Sequence, residues 1–454
     1  MRSASTRTRI RWSVLAACLG AIGSLAGGLT SVARADDASD GATATAEAPS
    51  DSTVDADAAA EHFDYPLALE GPDPAPITPP TRAEIDDALL RGLAFLIDTQ
   101  NPDGSWGSAR KTKALNIYAP VPGSHHAFRM GVTSLAIVGI CETLANLGDD
   151  ELPAEQRQAA ETAVDRAQDW LLKNASHLRR AETDALYNVW GHSYSLHAAC
   201  RLYARAAGNE ELQKQLVEMA KAQAEKLQRY EFLNGGWSYY DFDGRTQRPS
   251  SSPFSFTTAT VLVALKDVQQ LGVDFPQELI DKATASLLRQ RYPDFSFAYG
   301  EYLRMMPRYD INRPAGSLGR SQACNLALRL WGDEHETDAV LKNWLDRLYA
   351  RNGWLSIGRK YPVPHESHFG VAGYFYYYGH FYAAMCIDQL PAAERPHFQQ
   401  HLAHILLPLQ EKDGSWWDYP LYNYHQTWGT AMAMSSLVRC LPAKTADASD
   451  GAGL

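Results

Sequence analysis

His192 and Tyr194 stand two residues apart in the stretch Asn188-Val189-Trp190-Gly191-His192-Ser193-Tyr194. A histidine titrates near neutrality, so such a pair suits proton handling, as acid or as base. Asp241-Phe242-Asp243 offers a second chemistry. A buried carboxylic acid that keeps its proton can serve as a general acid. Gly244 follows the second aspartate, and a simple turn accounts for the same residues. His192, Tyr194, Asp241 and Asp243 are the expected catalytic groups.

Polar and aromatic residues that could line a ligand site cluster in the same parts of the chain. They are His125, His126 and Arg129, then Asn188 and Trp190, then Tyr240 and Arg320. Later come His365, Glu366 and His368, Tyr376 and His380, and finally Asp418, Tyr424, His425 and Trp428. Aromatic rings with a few polar groups are what a binding pocket needs. Each residue taken alone also reads as barrel packing or as a histidine satisfying a buried carbonyl. His365-Glu366-Ser367-His368 lacks the His-Glu-x-x-His spacing, and Pro362 and Pro364 place it in a loop, so no metal is expected there. No cofactor is expected either.

The positioning elements follow from an echo. "QNPDGSW" ends at Trp106, "FLNGGW" at Trp237, "ARNGW" at Trp354 and "QEKDGSW" at Trp416, with gaps of 131, 117 and 62 residues. The longer gaps are near twice the shortest, which leaves slots at 187–194 and 291–300 and implies six units of about 60 residues. Each unit reads as two helices. Ile85, Leu89, Leu93 and Leu96 make one apolar face on the first, whereas "GVTSLAIVGICETLANLG" is apolar nearly all round and therefore buried. The expected fold is an all-α (α/α)6 toroid of six helical hairpins over residues 81–442. The tryptophan loops gather at one mouth of it.

The phrase Arg91-Gly92-x-x-Phe95-Leu96-x3-Gln100-x3-Gly104-x-Trp106 resembles the Gln-Trp repeat of squalene cyclases and the related prenyltransferase repeats. The resemblance spans most of residues 82–441 and is strongest in the first and sixth units. It implies that Gln100 with Trp106, and Gln410 with Trp416, clasp a hairpin by stacking amide on indole. It also implies a central cavity and a terpenoid cyclase-like activity. Protein prenyltransferases hold zinc through an Asp-x-Cys pair that is absent here. "YNVWGHSYSLH" also loosely resembles uronate polysaccharide lyases, with Asn188, His192 and Tyr194 in the relevant positions. A lyase acting on a uronate glycan, or a non-catalytic envelope binding module or scaffold, are the alternative readings.

Charge and composition set the context. Arg2, Arg7, Arg9 and Arg11 precede an apolar run that ends at Ala33-Arg34-Ala35, as in a signal peptide over residues 1–35. Cys18, in Leu15-Ala16-Ala17-Cys18, is the minor alternative as a lipid anchor. Residues 36–80 hold eleven acids and no Lys or Arg, and read as a disordered acidic linker; 443–454 read as a disordered tail. The expectation is therefore an exported protein, periplasmic or secreted, with no stable transmembrane helix after processing. No basic stripe invites nucleic acid. The expected partner is a small molecule, lipid or glycan in the cavity. Cys141, Cys200, Cys324, Cys386 and Cys440 each sit in an apolar run and read as small buried hydrophobes.

Overall fold

The computed structural model describes residues 63–114, 122–178, 188–239 and 252–442. The chain forms helical hairpins in order: α1 (Arg82–Asp98) with α2 (Pro122–Asn146), α3 (Ala154–Asn174) with α4 (Asn188–Arg205), and α5 (Glu210–Tyr230) with α6 (Ser255–Gln269). Then follow α7 (Gln277–Gln290) with α8 (Pro314–Leu330), α9 (Asp338–Ala350) and the short α10 (Asn352–Ser356) with α11 (Phe375–Asp388), and α12 (Arg395–Leu406) with α13 (His425–Arg439). Among the described residues there is no strand, only the isolated bridges Phe254–Gly300 and Arg291–Phe297.

Helices α2, α4, α6, α8, α11 and α13 each touch the next, and α13 returns to α2, so the inner layer closes on itself as an α/α toroid. The outer helices lie against this ring. Burial follows the sequence pattern that each layer carries. In α1, Thr81 and Glu84 form a capping box, Ile85, Leu89, Leu93 and Leu96 are buried, and Asp87 and Arg91 face water. In α6, every residue from Ser255 to Leu265 is buried. Among the described helices α2 alone is long and apolar enough to cross a membrane, and 89% of that window is buried inside the ring.

The tryptophans join the two layers. The indole N–H of Trp106 donates to Leu96 O at 2.7 Å, that of Trp237 to Leu227 O at 2.8 Å and that of Trp416 to Leu406 O at 2.9 Å. Each tryptophan's own backbone N–H donates to a threonine hydroxyl on the following inner helix, Thr133, Thr258 or Thr430, at 3.0 Å. The glutamine amides carry hydrogen bonds between hairpins. Gln100 Nε2 donates to Gly104 O and to Ala163 O of α3, while Gln410 Nε2 donates to Gly414 O and to Ala88 O of α1. They therefore bind neighbouring hairpins, and Gln410 closes the last hairpin onto the first. Gly104 (φ 89°) and Gly414 (φ 85°) adopt the left-handed turn, and a Cβ on either would meet backbone of the next outer helix at 2.3 and 2.4 Å.

Three expectations need correction. The slot 187–194 is no loop: α4 begins at Asn188, and Trp190, His192 and Tyr194 are already helical. Trp354 is no clasp. It lies in α10, is 40% exposed and rests on Phe369 at 4.5 Å, because no turn glycine in the left-handed region precedes it. Of the linker expected over 36–80, residues 36–62 lie outside the described residues, but 63–80 are seated on the ring. Asn343 Nδ2 donates to Ala68 O, and Arg347 donates to Leu67 O and Glu70 O. Tyr65 packs edge-on to Phe295 at 5.4 Å. Phe63, Tyr65, Leu67 and Leu69 provide the apolar surface that the acidic part of the linker lacks. The expected signal segment, 1–35, and tail, 443–454, lie outside the described residues.

Candidate functional site

The N-terminal halves of the inner helices surround a cavity of about 200 Å³. Its wall is Phe128, Gly131, Val132 and Leu135 of α2, Trp190 and Tyr194 of α4, Tyr239, Phe256 of α6, His365 and Tyr374 from the segment before α11, Phe375 and Tyr378 of α11, Tyr419, Leu421, and Trp428 and Met432 of α13. Ten of these sixteen side chains are aromatic and none is Asp, Glu, Lys or Arg, so the wall can solvate an apolar body but cannot pair a charge. Trp190 stacks on Phe256 at 6.1 Å and on Tyr194 at 6.0 Å, which holds the indole against the cavity.

One side of the wall is polar. Tyr239 and Tyr299 hydroxyls lie 2.8 Å apart, and Tyr374 Oη is 3.0 Å from His365 Nε2. His365 Nδ1 lies 2.8 Å from Gly370 O, which makes Nδ1 the protonated nitrogen and leaves Nε2 to accept from Tyr374. The His365 backbone has φ 64°. The surrounding rings displace water from one side of its imidazole and lower its pKa, while the residue as a whole stays exposed at the cavity mouth. At the rim, Lys113 Nζ donates to Tyr419 Oη at 2.6 Å and lies 4.1 Å over that ring. Its partial burial brings its pKa down to about 8.

Behind the wall stands Asp418, fully buried. Its Oδ1 accepts from Trp428 Nε1 at 3.1 Å, and its Oδ2 from the backbone N–H of Tyr377 at 3.1 Å. Tyr377 lies in the first turn of α11, so the carboxyl caps that helix from another hairpin. Burial raises its pKa to about 7, although the Tyr377 and Trp428 donors oppose the rise.

Of the residues expected from sequence, Trp190, Tyr194, His365 and Trp428 reach the cavity, with Asp418 one layer behind. His192 is on the opposite face of α4 from Tyr194. Its Nδ1 bonds Gln223 Oε1 of α5 at 2.7 Å, and burial pushes its pKa down to about 3. The two therefore do not form a pair. His126 bonds Asn174 O of α3, and Arg129 bonds Asp103, both directed at the outer layer. His125 bonds Tyr424 Oη at 2.9 Å, and the Tyr424 ring stacks on Phe128 at 5.3 Å, so both back the wall without facing the cavity.

Arg320 donates to the carbonyls of Phe297, Gly316 and Ile311, and its burial pushes its pKa down to about 10. Tyr376 and His380 both bond Asn352 at 2.8 Å, turned away from the cavity. His425 bonds Tyr422 O. His368 lies on Trp354 and Phe369, and Glu366 is exposed. Asn188 opens α4 and is not part of the wall. Tyr240, Asp241 and Asp243 lie outside the described residues. No three His, Cys, Asp or Glu side chains converge as metal ligands do among the described residues.

Sequence reasoning overlooked most of the wall: Phe128, Gly131, Val132 and Leu135, then Phe256, Tyr374, Phe375 and Tyr378, then Tyr419 and Met432. The available signal was spacing. Residues 128, 131, 132 and 135 recur at helical steps, as do 374, 375 and 378.

No protein-family model matches the chain, and no curated protein does. Among solved structures, a type II terpene cyclase from Scytonema, bound to geranylgeranyl dihydroxybenzoate, is 13% identical, covering 80% of this chain and 98% of its own, with a TM-score of 0.45. An inactive variant of the α-1,6-mannanase GH76A of Salegentibacter, bound to α-1,6-mannotriose, is 10% identical, covering 80% and 99%, with a TM-score of 0.46. At this level of similarity neither activity transfers to the chain.

Proposed function

We propose that this protein, an exported toroid built of six hairpin repeats, binds a compact apolar molecule of isoprenoid type in its central cavity. The observation that carries the proposal is the wall itself, mostly aromatic and aliphatic, with no Asp, Glu, Lys or Arg among the described residues that line it. Water in this open space finds few hydrogen-bond partners along the apolar part of the wall, so an apolar occupant that displaces it is favoured. The volume lies above the ~150 Å³ that admits benzene and below the ~300 Å³ at which drug-sized pockets begin. It suits one or two rings, or a few isoprene units, and is too small for an extended triterpene. A uronate glycan fits poorly. It needs a cation beside its carboxylate; among the described residues Arg320 is committed to backbone carbonyls and Lys113, at the rim, to Tyr419 and Pro362.

The test is thermal unfolding with geraniol, farnesol or a uronate oligosaccharide added. The apolar alcohols raise the melting temperature in a concentration-dependent way, as any ligand of the folded state does, and the oligosaccharide leaves it unchanged. The reverse pattern would assign the cavity to glycans.

A further inference from the structure

Eleven large apolar side chains are exposed among the described residues, and eight of them fall in two segments at the cavity mouth, 302–309 and 354–363. Met305 is 83% exposed, Met306 and Tyr309 are each 55% exposed, and Ile357 is 49% exposed. The two segments are neighbours. The turn Asp310–Asn312 touches His368–Gly370, and the Phe369 ring packs at a tilt against Trp354 at 4.5 Å. A third segment, 108–114, joins them where Lys113 bonds Pro362 O. His365, in the second segment, is part of the cavity wall, so this surface borders the opening.

The charge there is opposite to that of the chain. Residues 108–114, 301–313 and 351–366 hold nine Arg and Lys against three Asp and Glu, a local net charge of +6 in a chain of −11. One of those acids, Glu301, is paired with Arg289 and Arg304. Exposed methionine and aromatic side chains alternate with arginine, as in Met305-Met306-Pro307-Arg308-Tyr309. Clustered exposed apolar groups mark an interaction surface. Apolar side chains entering an interface beside cations that reach phosphates are the pattern of an interfacial membrane contact.

We propose that the cavity mouth docks on an anionic lipid bilayer. Met305, Met306, Trp354 and Ile357 enter the headgroup region, and Lys111 and Arg308 meet lipid phosphates. An apolar molecule then passes between bilayer and cavity without crossing water. The docking stands on the surface alone and does not depend on what the cavity holds.

The experiment is co-sedimentation of the full mature chain with vesicles of phosphatidylcholine, alone or with about a third phosphatidylglycerol. The protein sediments with the anionic vesicles and is released by raised salt. Met305→Ser/Met306→Ser/Ile357→Ser, and separately Lys111→Glu/Arg308→Glu, weaken the binding about tenfold or more. Their melting temperature stays that of the native chain, because these side chains are at the surface. Leu67→Ser, in the N-terminal strap seated on α9, removes a side chain that is 48% exposed and lies outside the three mouth segments, and retains binding. Absence of binding to any vesicle, equal binding to neutral ones, or an unaffected triple variant would overturn the proposal. So would a dimer in solution that the triple variant dissolves while vesicles are ignored, which would assign the patch to a second copy. Farnesol binding measured without vesicles separates failure of the docking from failure of the cavity reading.

Discussion

Gly131 is the smallest residue on the cavity wall, and nothing in its packing demands it. A Cβ there would meet its nearest neighbours, Trp190 and Tyr194, at 3.7 Å, an ordinary contact. Glycine inside a helix is about 1 kcal/mol worse than alanine, so its presence at this position keeps space open. Gly131→Ala is expected to stabilise the protein by about 0.5–1 kcal/mol in a denaturant titration and to weaken binding of the apolar ligand. Asp418 gives a pH signature. Its folded pKa of about 7 lies above the usual unfolded value near 3.9. The folded state therefore holds a proton that the unfolded state has released, and stability falls as pH rises from about 4 to about 7. Asp418→Asn removes that fall. Unfolding titrations at pH 5 and pH 8 differ less in the variant than in the native chain; parallel behaviour would mean that the carboxyl titrates normally. Individual site residues were legible only as types. In "GYFYYYGHFY" every position is aromatic or small, so choosing Tyr376 and His380 selects one helical face and Tyr374 with Tyr378 another. A helix that is apolar all round carries no phase from which to choose. On α4, the same ambiguity joined His192 to Tyr194, although they point to opposite sides.

Helices and their clasps were far more legible, because period and turn chemistry are local. The apolar face of α1 and the Asp-Gly-Ser-Trp turns appear where the sequence places them. The turn even survives a change of residue. Asp294-Phe295-Ser296-Phe297 keeps the Asp294-to-Ser296 bond, with Phe295 at φ 61° where its counterparts have glycine. There the N-terminal strap supplies what the missing clasp does not. Arg347 donates at once to Asp294 O and to the strap carbonyls of Leu67 and Glu70. That strap was hidden by the acidic composition around it. Truncating a buried tryptophan costs about 3–5 kcal/mol, and Trp106, Trp237 and Trp416 are at most 1% exposed. Alanine at each of the three is expected to lower stability by that amount in denaturant titration. Trp354→Ala, at a side chain 40% exposed, is expected to lower it by less than about 1 kcal/mol. Equal losses at all four positions would contradict the distinction between clasp and surface residue.

The ring as a whole has an apolar end and an ionic end. Opposite the cavity, the C-terminal halves of the inner helices bring together Glu142 of α2, Arg201 of α4, Asp267 of α6, Asp388 of α11 and Arg439 of α13. His197 joins them through Asp267 at 2.6 Å. Burial alone would raise the pKa of Glu142, but Arg439 and Arg201 outweigh it and hold it at about 2. Stability from this carboxylate is fully present above its unfolded pKa near 4.3 and is lost as pH falls towards 2. Glu142→Gln leaves two arginines short of a partner and is expected to lower stability by about 3–5 kcal/mol. The difference from the native chain should shrink below about pH 4 in the same titration. This network joins hairpins far apart in sequence, and no local pattern announces it; only the closure of the ring brings it together. Closure also creates the cavity, on which the functional account rests. Its most direct test is an equilibrium titration of farnesol into the native protein and into Gly131→Leu, with circular dichroism confirming that both are folded. The account predicts saturable binding to the native chain, and its loss when leucine occupies the space beside Trp190 and Tyr194. Equal binding to both proteins, or none to the native chain, would contradict it.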